Sequence, residues 1–255
     1  MKLKMNINRM LLLSLIYLTF ELTTSNTHTD KIVAVSGLTP TIDGSIEPSE
    51  WNDAAMIAIS VASTANATVN VKQDGTNLYI GFDIPDVTSN ASDSCVVILD
   101  VDHDQNTSLQ TDDKWFASSR QDGETEYNVT AGGWFPTKIS GWTAKAGSTA
   151  SGWQLEYNIT YSKLGIISGT NKTIGIAFIV IDRDVEKGWY IWPSTASILK
   201  PSTWADMTSN GYDWAQRVSP WSTLLLPLIT LFVVAIAVLV VARVAHKRKI
   251  RKEIH

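Results

Sequence analysis

The sequence predicts an all-β domain, an antiparallel β-sandwich, followed by one C-terminal transmembrane helix. Three observations carry that expectation. Between residues 26 and 221 apolar side chains recur at a period of two, and no helical period runs through the segment. Short apolar stretches are separated by turn residues at the spacing of a sandwich. An uncharged run from Ser222 to Ala242 is then followed at once by basic residues.

The strands are read in order. Val69 and Val71 lead through the turn Asp74-Gly75 to Leu78, Ile80, Phe82 and Ile84, a hairpin with one apolar face. Cys95 to Leu99 and Ile174 to Ile181 are apolar on both faces, which is the signature of central strands. Further strands are expected near 31–36, 57–62, 114–120, 125–130, 138–145, 152–159 and 186–192, with a short helix over 48–55 opened by Pro48. In Trp153, Leu155, Tyr157 and Ile159 the apolar residues alternate with Gln154, Glu156 and Asn158, placing the latter on the wet face. Tyr127 and Val129 likewise leave Glu126 and Asn128 outside.

Composition narrows the function classes. The 255 residues are 44% hydrophobic and 18% charged with a mean hydropathy of +0.01, which excludes a disordered or collagen-like chain. One cysteine, Cys95, excludes a disulfide framework, a four-cysteine zinc site and a C-x-x-C-H haem attachment. The net charge of -4 argues against nucleic acid as a partner. Residues 26–221 hold 12 basic and 23 acidic side chains, a net of -11, so the domain itself is acidic.

The ends of the chain predict its placement. Lys2, Lys4 and Arg9, the apolar run Met10 to Phe20 and the small polar Thr23, Thr24 and Ser25 read as a signal peptide over 1–25. An uncleaved anchor is the alternative, because Glu21 and its bulky neighbours blur the cleavage site. The sandwich is expected over 26–207, a short stalk over 208–221, the span over 222–242 and a basic cytoplasmic tail over 243–255. The span's roughly 20 residues match a ~30 Å hydrocarbon core, and Arg243, Lys247, Arg248, Lys249, Arg251 and Lys252 put the C-terminus inside. The expected localisation is the cell membrane, single-pass, with the N-terminal domain extracellular. Six of the eleven Asn in 26–221 begin N-x-[ST] sequons: Asn66, Asn90, Asn106, Asn128, Asn158 and Asn171. That excess points to a glycoprotein.

Several short motifs occur in a telling order. Thr41-Ile42-Asp43-Gly44 precedes Glu50-Trp51 and Ala54, then comes the run Val71 to Ile80 containing Asp74-Gly75. Leu99-Asp100-Val101-Asp102-His103-Asp104, Thr111-Asp112-Asp113, Gly152-Trp153 with Glu156, Gly175 to Phe178 with Asp182, and Trp192-Pro193 before Pro201 and Trp204 follow. Over residues 38–207 this order resembles the family 9-like carbohydrate-binding domain, within the wider DOMON-like group. The resemblance implies a jelly-roll-like or Ig-like sandwich that binds sugar in some members and haem in others.

Two constellations carry candidate chemistry. Asp100, Asp102 and Asp104 alternate where a strand runs out, and with Asp112 and Asp113 they make a set of hard oxygen donors suited to Ca2+. An EF-hand is excluded, since Gln105 and Thr111 stand where its Gly and Glu belong. Of the ten tryptophans, Trp51, Trp153 and Trp204 are expected in the core, while Trp134, Trp142, Trp189 and Trp192 flank Gly- or Pro-containing stretches and are the candidates for stacking on sugar rings. No nucleophile elbow or His-based constellation is present in the sequence, so the expected role is binding and not catalysis. The expected partners are a poly- or oligosaccharide, the membrane, and glycoside hydrolases or cell-envelope components. A haem-binding electron-transfer domain, ligated from Met56, Met207, His28, His103 or lysines, is one alternative, and a purely structural or adhesive envelope glycoprotein is another.

Overall fold

Among the described residues of this computed structural model, which are 30–61, 65–88, 90–121, 123–185, 188–209 and 214–215, thirteen strands form two hydrogen-bonded layers. The expected signal peptide, membrane span and tail lie outside the described residues. Among the described residues no helix is long and apolar enough to cross a membrane.

The strands are β1 (Lys31–Ser36), β2 (Ala55–Ser60), β3 (Asn66–Gln73), β4 (Asn77–Ile84), β5 (Ser94–Asp100), β6 (Lys114–Ser119) and β7 (Thr125–Thr130). They continue as β8 (Gly133–Thr137), β9 (Trp142–Ser148), β10 (Trp153–Thr160), β11 (Ile174–Ile181), β12 (Trp189–Trp192) and β13 (Ala205–Ser209). The first sheet runs β8-β7-β6-β5-β11-β13-β1, and the second β1-β3-β4-β10-β9, with β2 following β1 along the same edge of β3, opposite β4. β1 belongs to both: Lys31 to Ala34 pair in parallel with β13, and Val35 and Ser36 pair with β3. β12 and β13 share one edge of β11, β13 along Ile174 to Ile176 and β12 along Phe178 to Ile181.

Alternation explains the layers. Cys95, Val97 and Leu99 of β5 and Ile174, Ile176, Phe178 and Val180 of β11 face the second sheet, where Leu155, Tyr157 and Phe82 meet them. Val96, Ile98, Ala177, Ile179 and Ile181 face the opposite way into a second apolar cluster. The segment Pro193 to Trp204 covers part of that outer face, with Trp204 fully buried and its indole N–H donating to the Ser197 carbonyl at 2.7 Å. Trp51 and Trp153 are buried as expected.

The structure moves several expected elements. The helix α1 (Pro48–Trp51) is a single turn, and the strand expected over 138–145 is replaced by β8 and β9. β8 carries Pro136 and stands at the edge of its sheet, where a missing N–H leaves no ladder bond unmade. The expected stalk starts too early. Thr208 and Ser209 belong to β13, and Trp214 is fully buried, donating to the Lys172 carbonyl at 2.7 Å and meeting Tyr161 edge-on at 5.7 Å.

Glu156 and Glu126 are also relocated, from the wet face to the interior. The outer face of the second sheet is covered by residues 39–53, so Glu156 lies beneath them. Its carboxylate accepts N–H groups from Asp43 at 3.0 Å, Gly44 at 2.8 Å and the Trp51 indole at 2.8 Å. This joins the Thr-Ile-Asp-Gly and Glu-Trp motifs to β10. Gly44 is required there: its φ is 91°, and a Cβ would lie 2.5 Å from the Ala146 carbonyl oxygen. Burial pushes the Glu156 carboxyl up, and the three N–H donors pull against it. Beside it, the buried Lys72 ammonium donates to the Glu50 carbonyl at 2.6 Å and pairs with Asp53. Glu126 is held in the same manner by the Trp142 indole at 2.8 Å and by Lys163.

Replacing Glu156 by Ala strands three donors under a covered sheet, and the expected cost is about 3 kcal/mol or more. Urea unfolding of the variant checks this, with Glu47→Ala on the exposed surface as control. Equal stability of the two variants would remove Glu156 as the tie.

Candidate functional site

The outer face of the first sheet is only partly covered, and what remains open is a groove of about 520 Å3. Its floor is Val96, Trp115 and Ala117, which share one side of β5 and β6 by alternation. One wall is Tyr127 of β7, Trp134 of β8 and Ile198 of the covering segment, the Trp134 indole donating to the Ile198 carbonyl at 3.0 Å. The other wall is Arg183 and Trp189, with the guanidinium 5.8 Å from the indole ring centre. Trp115 meets Tyr127 edge-on at 6.0 Å and Trp134 at 5.6 Å, so three rings are mutually braced. Hydroxyls of Ser92, Ser94, Ser119 and Thr125 complete the rim.

Of the four tryptophans expected as a platform, the structure brings two together here. Trp134 is half-buried and Trp189 is 45% exposed. Trp142 is not at the surface: it is buried between the sheets, stacked on Tyr157 at 5.9 Å with its N–H on Glu126. Trp192 pairs with Phe178, so it faces the inner core and stacks on that ring at 5.8 Å. Trp115 and Tyr127 belong to the groove and were not anticipated. Their signal was present in the shared parity of Trp115, Ala117 and Ser119 with Tyr127 and Val129, once β6 and β7 are paired.

The expected carboxylate cluster does assemble, at the end of β5. One oxygen each from Asp100, Asp112 and Asp113 lie within 4.8 Å of one another, as do those of Asp100, Asp102 and Asp104. The chain coils around Asp100, with His103 at φ 59° and Gln105 at φ 53°, and their N–H groups donate to its two oxygens at 2.7 and 3.1 Å. Burial pushes the Asp100 carboxyl up to about 6 and that of Asp113 up to about 7, with Asp112 adding repulsion to both. Asp102 is also raised, first by burial and then by Asp112 and Asp104. The donor set is all oxygen, as Ca2+ prefers. His103 bonds Asp206 at 3.0 Å.

Among the sequons, Asn66, Asn106 and Asn171 are exposed and Asn90 is half-buried, donating to Asp184 at 3.1 Å. Asn128 and Asn158 are not on a wet face: each is half-buried within a strand, with its side-chain oxygen buried. The ligands named for the haem alternative are dispersed in exposure and position. Met207 is in the inner core, Met56 is 70% exposed on β2, and His28 lies outside the described residues.

Comparison with solved structures places the fold. Two structures of a carbohydrate binding module family 9 from Caldicellulosiruptor kristjanssonii, one in complex with cellotriose and one with glucose, each superimpose with a TM-score of 0.57. Sequence identity is 20% and 19%; the match covers 74% of this chain in both cases, and 95% and 100% of the respective modules. No curated protein matches the chain. The family described as carbohydrate family 9 binding domain-like matches residues 42–215, from the Asp43-Gly44 loop over Glu156 to the residue after Trp214. The chain therefore belongs to the carbohydrate family 9 binding domain-like family.

Proposed function

We propose that this protein is a noncatalytic, cell-surface carbohydrate-binding protein of the DOMON-like group, with the groove on the outer face of the first sheet as its site. One observation carries the reading: in a chain of this family, a groove of about 520 Å3 has a floor and both walls containing aromatic rings. Flat indole faces take the apolar C–H faces of sugar rings, while Arg183 and the rim hydroxyls select among hydroxyl groups. The net charge of -11 over 26–221 disfavours an acidic polysaccharide. The solved relatives' cellotriose and glucose make uncharged glucans the first class to test. A signal peptide, a span at 222–242 and glycans on the exposed sequons would place the groove outside the cell, within reach of glycoside hydrolases or envelope polymers.

Changing Trp189 or Trp134 to Ala is expected to cost roughly 2 kcal/mol of binding to cello-oligosaccharides, about a thirtyfold loss, with little change in melting temperature for Trp189 and a lowered one for Trp134, which also loses its packing on Trp115 and its bond to Ile198. Trp142→Ala should instead cost about 3–5 kcal/mol of folding stability. Titration calorimetry with parallel melting curves reads both. Full affinity in folded Trp134 and Trp189 variants would move the site elsewhere, and a folded parent that binds no glycan would favour the structural envelope reading.

The same proposal includes Ca2+ held by Asp100, Asp102, Asp104, Asp112 and Asp113. Asp100 and Asp113 have folded values above the ordinary ~3.9, so the folded chain binds the extra protons between about pH 4 and 7. In chelator, their contribution to stability is therefore greatest at the low end of that window and falls as pH rises through about 6 to 7. Melting in chelator should drop from pH 5 to 7.5, and millimolar Ca2+ should restore it at the higher pH. Flat melting temperatures with and without Ca2+ would remove the ion from this cluster.

A further inference from the structure

The loop before β5 carries one of the glycan acceptor sequences, Asn90-Ala91-Ser92, and both Ala91 and Ser92 line the groove. Asn90 Nδ2 donates to Asp184 at 3.1 Å, and Asp184 directly follows Arg183, whose guanidinium stands over Trp189 in the groove wall. The acceptor nitrogen therefore sits where the loop and that wall meet. Of the other sequons, Asn128 also adjoins a lining residue, Tyr127, but alternation along β7 turns its side chain to the opposite face. Asn66, Asn106, Asn158 and Asn171 lie in segments that contribute nothing to the groove.

The attachment point is held in place. Asn90 Oδ1 accepts the Ser92 N–H at 3.0 Å and the Asn90 carbonyl accepts the Asp93 N–H at 3.1 Å, so residues 90–93 form a closed turn. The Asp93 carbonyl accepts the Arg120 N–H at 2.8 Å, and its Oδ1 accepts the Arg183 N–H at 2.8 Å. The Arg120 guanidinium pairs with Asp86 at 3.3 Å and donates to the Thr88 carbonyl, which fixes the chain on the other side of Asn90. A sugar on Asn90 Nδ2 thus starts from a fixed point beside Ala91, Ser92 and Arg183, with Trp189 in the same wall. A glycosylated amide keeps one N–H, so the bond to Asp184 can remain.

We propose that Asn90 is N-glycosylated and that the first sugars of this glycan lie in the groove, making the chain's own oligosaccharide an intramolecular ligand that limits access to the site. The proposal rests on the reading of the groove as a sugar site. In the modifying step Asn90 Nδ2 forms a bond to the anomeric carbon of an oligosaccharide carried as a lipid phosphate ester. The bond from that carbon to the phosphate oxygen breaks, its electron pair leaves with the lipid phosphate, and one amide proton passes to the leaving group, with no change of oxidation state. The aromatic floor and walls take the C–H faces of the attached rings. A short tether gives an effective concentration on the order of millimolar, so even a weakly held tethered sugar competes with a free one.

The full chain purified from the cells that make it is compared with Asn90→Gln and Asn171→Gln from the same cells, and with the unmodified chain made in cells that do not glycosylate. Peptide mass spectrometry reads the occupancy of Asn90. Oxidation of Trp189 by N-bromosuccinimide reads the groove without added ligand, since Trp189 is 45% exposed. The expected result is a glycan on Asn90, with Trp189 oxidised about tenfold more slowly in the parent and in Asn171→Gln than in Asn90→Gln and the unmodified chain. Affinity for cello-oligosaccharides should be about tenfold weaker in the two forms that carry the Asn90 glycan. The unmodified chain keeps Asn90, so it carries the comparison where Asn90→Gln fails to fold. A bare Asn90 in the purified parent, or equal Trp189 oxidation in all these forms, overturns the proposal. Slowed Trp189 oxidation with no cello-oligosaccharide bound by any form leaves the seated glycan standing and removes the glucan reading alone.

Discussion

The pairing of β5 with β11 is the constraint on which the rest of the molecule depends. Both strands are buried on both faces, so one layer of cover is not enough. The second sheet buries the inner face, and Pro193 to Trp204 must fold back over the outer one. That segment is too short to cover the whole sheet. Where it ends, Trp115, Tyr127 and Trp134 remain as a braced aromatic surface, and the groove is the uncovered remainder. Groove and core are thus two outcomes of the same apolar ladder, which is why an aromatic count alone could not separate them.

Period-two alternation made most strands legible, including the 66–84 hairpin and the doubly apolar β5 and β11. It gives parity, however, and not which side is dry. Glu156 and Glu126 alternate with core residues and therefore read as solvated, yet both lie under covers formed by distant segments that supply matched donors. Trp142 reads as a platform candidate because it flanks the Gly- and Pro-containing stretch 132–136; β9 begins at that residue and turns it inward. The strand at 133–137 was hidden by its Gly and Pro content. Trp115 and Tyr127 escaped notice because their common face exists only after β6 and β7 pair. Asp93 and Asp182, far apart in sequence, are joined only by the register of β5 on β11.

The acidic domain handles its buried charge in two ways. Where a lysine reaches, it closes the account locally: Lys72 meets Asp53 under the cover of the second sheet, and Lys163 meets Glu126 between the layers. At the Asp100 end of the β5–β11 ladder this does not happen. Lys114 and Lys172 lie near the Asp100 cluster, but their ammonium groups donate to the carbonyls of Thr111 and of Leu164 and Gly165. Carboxylates gathered without a matching ammonium repel one another at short range. At the Ser94 end Arg120 pairs with Asp86 at 3.3 Å and lies 3.8 Å from Asp93, so the uncompensated oxygen gathers at the Asp100 end, remote from the groove.

The sharing of β1 by both sheets, with β13 lodged between β1 and β11, has a mechanical meaning. β13 runs antiparallel to β11, so the chain leaves it at the Asp100 end, while the groove opens at the Ser94 end. Tension between a polymer held in the groove and whatever holds the residues after 215 would act lengthwise along these strands. Hydrogen bonds on both sides of β13 would then be loaded in shear, all together, instead of peeling one at a time from a free edge. A strand clamped on two sides and pulled along its length is the arrangement that yields last.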